Sequence, residues 1–139
     1  MSHGYSLIEL VIALALLGVI IGTLAPRAGA LADRHAARAG AAELRAALAA
    51  ARQAALLQSA VVAVVVDSAR GTVTVVAHGD TVLVRPLRTE LGVQLGATRD
   101  TVRYGPSGRG YGASNTSLIV RRGNAADTII VSRLGRVRG

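Results

Sequence analysis

The chain has 139 residues and a net charge of +8; 51% of its residues are hydrophobic, but only 2% are aromatic. One folded unit is expected at this length, with a core of Val, Leu, Ile and Ala because Phe and Trp are absent. No Cys is present, which excludes disulfides and thiolate metal sites, and no Lys, which excludes a Walker A phosphate loop.

The first element is the stretch GYSLIELVIALALLGVIIGTLAP, residues 4–26. From Tyr5 to Ala25 it would extend about 31 Å as a helix at ~1.5 Å per residue. That matches a bilayer core of ~30 Å. Gly18 and Gly22 weaken the helix, and Pro26 removes a donor and crowds the preceding turn, so a bend or loosened turn is expected near residues 22–26. A secretory signal would carry a basic head and a shorter apolar run. Neither it nor a plain anchor explains Glu9, since a carboxylate in hydrocarbon costs a few kcal/mol unless it is paired.

Residues 33–60, DRHAARAGAAELRAALAAARQAALLQSA, continue as an amphipathic helix ending near Ser59. Leu44, Leu48, Ala51 and Ala55 form its apolar stripe, while Arg38, Arg45 and Arg52 recur every seventh residue on another face. From Val61 the pattern becomes β-branched and short. Strands are expected at 61–67, 72–77, 81–87, 92–95, 101–104, 117–120 and 128–132, with turns at 67–71 and 78–80. The fold class is α+β: a long N-terminal helix, bent near Pro26, whose outer half packs on a mostly antiparallel sheet.

Charge is unevenly placed. Residues 1–66 carry five Arg against three acids, whereas residues 103–139 carry seven Arg and a single acid, Asp127. A basic C-terminal quarter favours polyanionic partners. Catalysis is not expected. The three His (3, 35 and 78) are scattered, and Asp67, Asp80, Asp100 and Asp127 sit beside expected turns, where Asp caps backbone. No nucleophile motif such as G-x-S-x-G is present, and neither a metal nor a cofactor is expected.

Gly4-Tyr5-Ser6-Leu7-Ile8-Glu9, followed by an aliphatic run and a proline, resembles the signal of type IV pilins and type II secretion pseudopilins. Tyr5 and Ser6 stand where that family usually has Phe and Thr. Family leaders also carry a basic residue just before the glycine, whereas this one has His3. Either the natural start lies upstream or insertion depends on dedicated machinery. The resemblance implies cleavage between Gly4 and Tyr5 by a prepilin peptidase and N-methylation of Tyr5. It further implies that Glu9 neutralises a neighbouring subunit's α-amine within a bundle of helices, fixing axial register. A lone carboxylate snorkelling to the interface is the alternative.

AARQAALLQSAVVAVVVD (50–67), VRYGPSGRGYG (102–112) and TIIVSRLGRVRG (128–139) resemble the GspH/FimT family. The chain is thereby organised as leader 1–4, transmembrane or filament-core helix 5–26, amphipathic continuation 27–60 and β-rich domain 61–139. The resemblance implies a single-pass protein of the bacterial inner membrane with its globular domain in the periplasm, assembling with other pilins. Two branches stay open. One is a minor pseudopilin of a type II secretion system. The other is a type IV pilus minor pilin that binds double-stranded DNA without sequence preference during uptake. Gly135-Arg136-Val137-Arg138 matches the G-R-x-R of the family's DNA-binding members. On an extended strand Arg136 and Arg138 share a face ~6.6 Å apart, a spacing suited to successive phosphates. Arg109 and Tyr111 would add a phosphate contact and a stacking surface. Exposed Arg on a last strand also deters edge-to-edge aggregation, an alternative reading of the same residues.

Overall fold

A computed structural model describes residues 6–112 and 116–139; for residues 24–26 it describes the backbone but not the side chains. The elements in order are α1 (Leu7–Gln58), β1 (Val62–Asp67), β2 (Thr72–Ala77), β3 (Asp80–Arg85), α2 (Leu87–Leu91), β4 (Gln94–Ala97), β5 (Thr101–Tyr104), β6 (Thr116–Arg122), β7 (Ala125–Val131) and β8 (Val137–Arg138). The chain divides into two compact units, Met1–Ala32 and Asp33–Gly139.

In the first unit, every large apolar side chain from Leu7 to Ile21 is exposed. The run is apolar enough over 18 residues to cross a membrane, with a mean hydropathy of 2.7, and none of that window is buried within the protein. Such a continuous apolar surface needs lipid or other helices around it.

The second unit is built as two four-stranded sheets, ordered β3-β2-β1-β5 and β4-β6-β7-β8, with every pairing antiparallel. Alternation decides which residues enter the core. Val62, Val64 and Val66 of β1 point inward, as do Val73, Val75 and Ala77 of β2, while their neighbours are half-exposed. Leu118 and Val120 of β6 and Ile129 and Val131 of β7 do the same in the second sheet. The helix supplies the remainder of one contiguous core through Ala41, Leu44, Ala47, Leu48, Ala51 and Ala55. Full burial of a Leu side chain contributes roughly 1.5–3 kcal/mol, so Leu44 and Leu48, at 1% and 0% exposure, are its main anchors on the helix.

Small residues allow the helix to sit close to the second sheet. A Cβ added to Gly40 would lie 2.9 Å from Val120 Cγ1 and 3.3 Å from Val93 Cγ2. The interior glycine that looks like a weak point in the helix is therefore a place where the helix approaches Val93 and Val120 too closely for a side chain. Ion pairs bracket this packing: Arg122–Asp33 at 3.3 Å, Arg85–Glu43 at 3.3 Å and Arg45–Asp127 at 3.6 Å. All are partly solvated, and such pairs contribute about 0–1 kcal/mol each. The helix stops where expected. Ser59 adopts φ 50°, and the Ala60 N–H donates to the Ala55 carbonyl at 3.2 Å, a Schellman closure with Ser where Gly is usual.

The structure corrects several strand assignments. The strand expected at 81–87 ends at Arg85, because Pro86 interrupts it and Leu87–Leu91 forms a short helix closed by Gly92 at φ 65°. The strand expected at 92–95 begins two residues later, at Gln94. The sheet expected as one is two, and β8 is only two residues long.

Candidate functional site

Gly4 and Tyr5, the expected cleavage and methylation residues, lie outside the described residues. Glu9 sits in the first turn of α1, exposed. Its backbone N–H donates to the Ser6 carbonyl at 3.0 Å and to Ser6 Oγ at 3.3 Å. Ser6 is thus an N-cap with Glu9 three residues on, the spacing of a capping box. The same carboxylate is favoured there by the positive end of the helix dipole. This local role was readable in the S-x-x-E spacing, but the assembly reading of Glu9 passes over it. Pro26 lies within α1, where its missing N–H leaves the Gly22 carbonyl without a helical donor. One turn earlier, Thr23 Oγ1 donates to the Ile20 carbonyl at 2.9 Å, a back-bond that tends to bend helices.

The basic residues converge at the C-terminal edge. β7 turns into β8 through Ser132–Arg136. The Ser132 N–H donates to the Arg136 carbonyl at 2.8 Å, and the Arg136 N–H donates to Ser132 Oγ at 3.1 Å. β8 then pairs Val137 with Val131 and Arg138 with Ile130. Arg136, just before β8, and Arg138, within it, are both exposed, and Val137 between them is half-buried.

The loop after β5 meets this turn. A Cβ on Gly110 would fall 2.7 Å from the Arg133 carbonyl, and one on Gly135, at φ 76°, would fall 2.9 Å from Tyr104 Cε1. Only glycines allow the two segments to come so close. Arg109 and Tyr111, both exposed, flank that contact. The Tyr111 N–H donates to the Arg103 carbonyl at 2.8 Å, and the Gly105 N–H donates to the Arg109 carbonyl at 2.9 Å, which holds the loop against β5. All four expected residues therefore come to one corner of the second unit. Arg133 joins them, lining with Arg136 and Arg138 an open depression of about 520 Å³. It was legible only as part of the general basic excess. Among the described residues, Arg109, Arg133, Arg136 and Arg138 form no ion pair, so their charge is unspent.

Comparison with known proteins places this geometry. Residues 1–25 match the prokaryotic N-terminal methylation motif, and residues 40–135 match the family described as type II transport protein GspH. No curated protein matches the chain. Among solved structures, the type IV minor pilin FimU of Pseudomonas aeruginosa is similar in two crystal forms. One has a TM-score of 0.63 at 14% identity, covering 76% of this chain and 88% of that one. The other has a TM-score of 0.60 at 14% identity, covering 73% and 90%. At that identity the likeness speaks to the fold alone. The fold is that of a type IV pilin: an apolar-headed helix whose second part packs on antiparallel sheets. By its match over residues 40–135, the chain belongs to the type II transport protein GspH family.

Proposed function

We propose that the chain is a minor pseudopilin of a type II secretion system, a structural subunit of the periplasmic pseudopilus that drives protein export. The observation that carries this reading is the GspH match over residues 40–135, joined to the methylation motif over residues 1–25. In this reading residues 1–4 are the leader and residues 5–26 the membrane and filament-core helix, with Pro26 its point of bending. Residues 27–60 continue the helix, and residues 61–139 form the periplasmic domain. Prepilin peptidase cuts after Gly4, and Tyr5 becomes the N-methylated terminus. Glu9, exposed in the first turn, neutralises the α-amine of a neighbouring subunit.

The test is filament entry in a host carrying the whole secretion system. Glu9→Gln keeps a polar side chain and the Ser6 cap but removes the charge. The variant should insert in the membrane and be lost from sheared filaments, as should Glu9→Ala. Normal incorporation of Glu9→Gln would reduce Glu9 to a capping residue.

A second reading is favoured by one feature, the uncompensated cluster of Arg109, Arg133, Arg136 and Arg138 beside Tyr111. On it, the chain is a type IV pilus minor pilin that holds double-stranded DNA by its phosphates, without reading sequence. Duplex binding by the full-length chain in nonionic detergent, across a salt series, separates the two readings. Steeply salt-dependent binding that Arg136→Ala/Arg138→Ala abolishes supports the DNA reading. No binding at low salt leaves the secretion reading alone.

A further inference from the structure

Every arginine that α1 brings to the second unit lies on one side of the helix. At ~3.6 residues per turn, Arg34, Arg38, Arg45 and Arg52 fall within about 40° of one another, in a row about 27 Å long. The two acids of the same segment, Asp33 and Glu43, sit about 100° or more off that row. They are bonded elsewhere, Asp33 to Arg122 at 3.3 Å and Glu43 to Arg85 at 3.3 Å. Asp127, 3.6 Å from Arg45, is the carboxylate that touches the row. Arg34, Arg38 and Arg52 are exposed and form no ion pair among the described residues.

The row follows the seam between α1 and the open edge of the second sheet. Arg34 and Arg38 line a depression of about 380 Å³ with Ala125, Ala126 and Asp127 of β7. Arg45 and Arg52 line a groove of about 390 Å³ with Gly135 and Val137. The Arg45–Asp127 pair joins the two. Arg136 follows Gly135, so the row ends at the β7–β8 turn that carries Arg133 and Arg136.

The arrangement defines what fits it. Like charges in a row repel one another unless an anion offsets them. A single headgroup or carboxylate would engage one or two of these guanidiniums, whereas a chain of repeated anions engages the whole row. α1 carries no aromatic side chain, so the row can neutralise a phosphate backbone but has no platform on which to stack a base. Duplex DNA presents a phosphate every ~3.4 Å on each strand, and the row therefore spans about eight base pairs.

We propose that Arg34, Arg38 and Arg52 form a second phosphate track, along which double-stranded DNA held at the corner of Arg109, Arg133, Arg136 and Arg138 continues down the helix. The proposal rests on the DNA reading of that corner and extends it to a face of α1.

The test measures binding of a fluorescent duplex of about 20 base pairs to the full-length chain in nonionic detergent, by anisotropy across a salt series. Arg34→Gln/Arg38→Gln should lower the slope of log affinity against log salt by about 1.8, at ~0.9 per phosphate, as the Arg136→Ala/Arg138→Ala change does at the corner. Arg34→Lys/Arg38→Lys should keep the slope, because a phosphate contact of this kind needs the charge alone. Arg70→Gln/Arg99→Gln, exposed arginines away from both tracks, should leave it unchanged. A slope lowered by the corner variant but not by Arg34→Gln/Arg38→Gln would overturn the second track and leave the corner reading standing. No binding by the unmodified chain at low salt would remove the DNA reading and the track with it. An equal fall with Arg70→Gln/Arg99→Gln would show that net charge alone acts, and a fall with the Lys pair would show a structural effect; either would overturn the proposal. So would displacement of the duplex by polyglutamate at equal charge concentration, which would make the row a site for any polyanion.

Discussion

Gly40→Ala sets two magnitudes against each other. In a solvated helix interior the change stabilises by about 0.8–1.0 kcal/mol, the difference in helix propensity. At Gly40 the new methyl would lie 2.9 Å from Val120 Cγ1 and 3.3 Å from Val93 Cγ2, and both valines are fully buried. Val120 sits on β6, which is paired on both sides, by β4 and β7, so the backbone beneath it has little freedom to retreat. Overpacking a core by a methyl group costs about 1–3 kcal/mol. Packing therefore wins, and the net loss should be about 1 kcal/mol. Urea unfolding of the full-length chain in nonionic detergent, followed by far-UV circular dichroism, reads this as a lowered midpoint at constant slope. Val120→Ala removes the nearest atom, so the double variant should cost about 1 kcal/mol less than the two single changes summed, a coupling expected of touching residues. Stabilisation by Gly40→Ala alone would show that the helix and β6 are not in close contact, and the packing argument would fail.

Ser59→Gly relieves a left-handed Ser at the helix end and should stabilise the second unit by roughly 1 kcal/mol, seen as a raised urea midpoint. Tyr104 holds its proton more tightly when folded than when unfolded, where its pKa is the ordinary 10.0. The unfolded state therefore ionises first, and stability should fall as the pH climbs past 10.0 toward the raised folded value; Tyr104→Phe should remove that part of the fall in pH-dependent melting. If the chain binds duplex DNA, Arg136→Ala/Arg138→Ala should reduce the slope of log affinity against log salt by about 1.8, at roughly 0.9 per phosphate contact. An unchanged slope would mean that neither arginine touches a phosphate.

Much of the second unit was legible from residues because its strands are short β-branched runs set between turn residues. β1 and β2, built largely of Val and Thr, and β5 and β6, where Thr, Val and Ile recur, fall close to their expected positions for that reason. The helix stripe of Leu44, Leu48, Ala51 and Ala55 was equally plain, and all four are buried. What sequence could not supply was partnership between distant segments. α2 spans only five residues, too few for a helical period to appear. The division into two sheets depends on which strands pair, and alternation says nothing about pairing. The basic corner was legible in its residue types, but that Gly110 and Gly135 bring the loop of Arg109 and Tyr111 against the β7–β8 turn emerges only from the fold.

Glu9 shows the converse. Its most immediate partner, Ser6, is three residues away and was written in the sequence, yet an unusual carboxylate draws attention to distant partners first. The two roles are compatible: the Ser6 cap uses the backbone N–H of Glu9 and not its carboxylate.

The most direct measurement is the intact mass and N-terminal sequence of the chain after expression with and without a prepilin peptidase. The account predicts that the peptidase removes Met1-Ser2-His3-Gly4 and leaves a singly N-methylated Tyr5, and that Gly4→Val retains the leader. A mature chain starting at any other residue, or an unprocessed chain in the presence of an active peptidase, would contradict it.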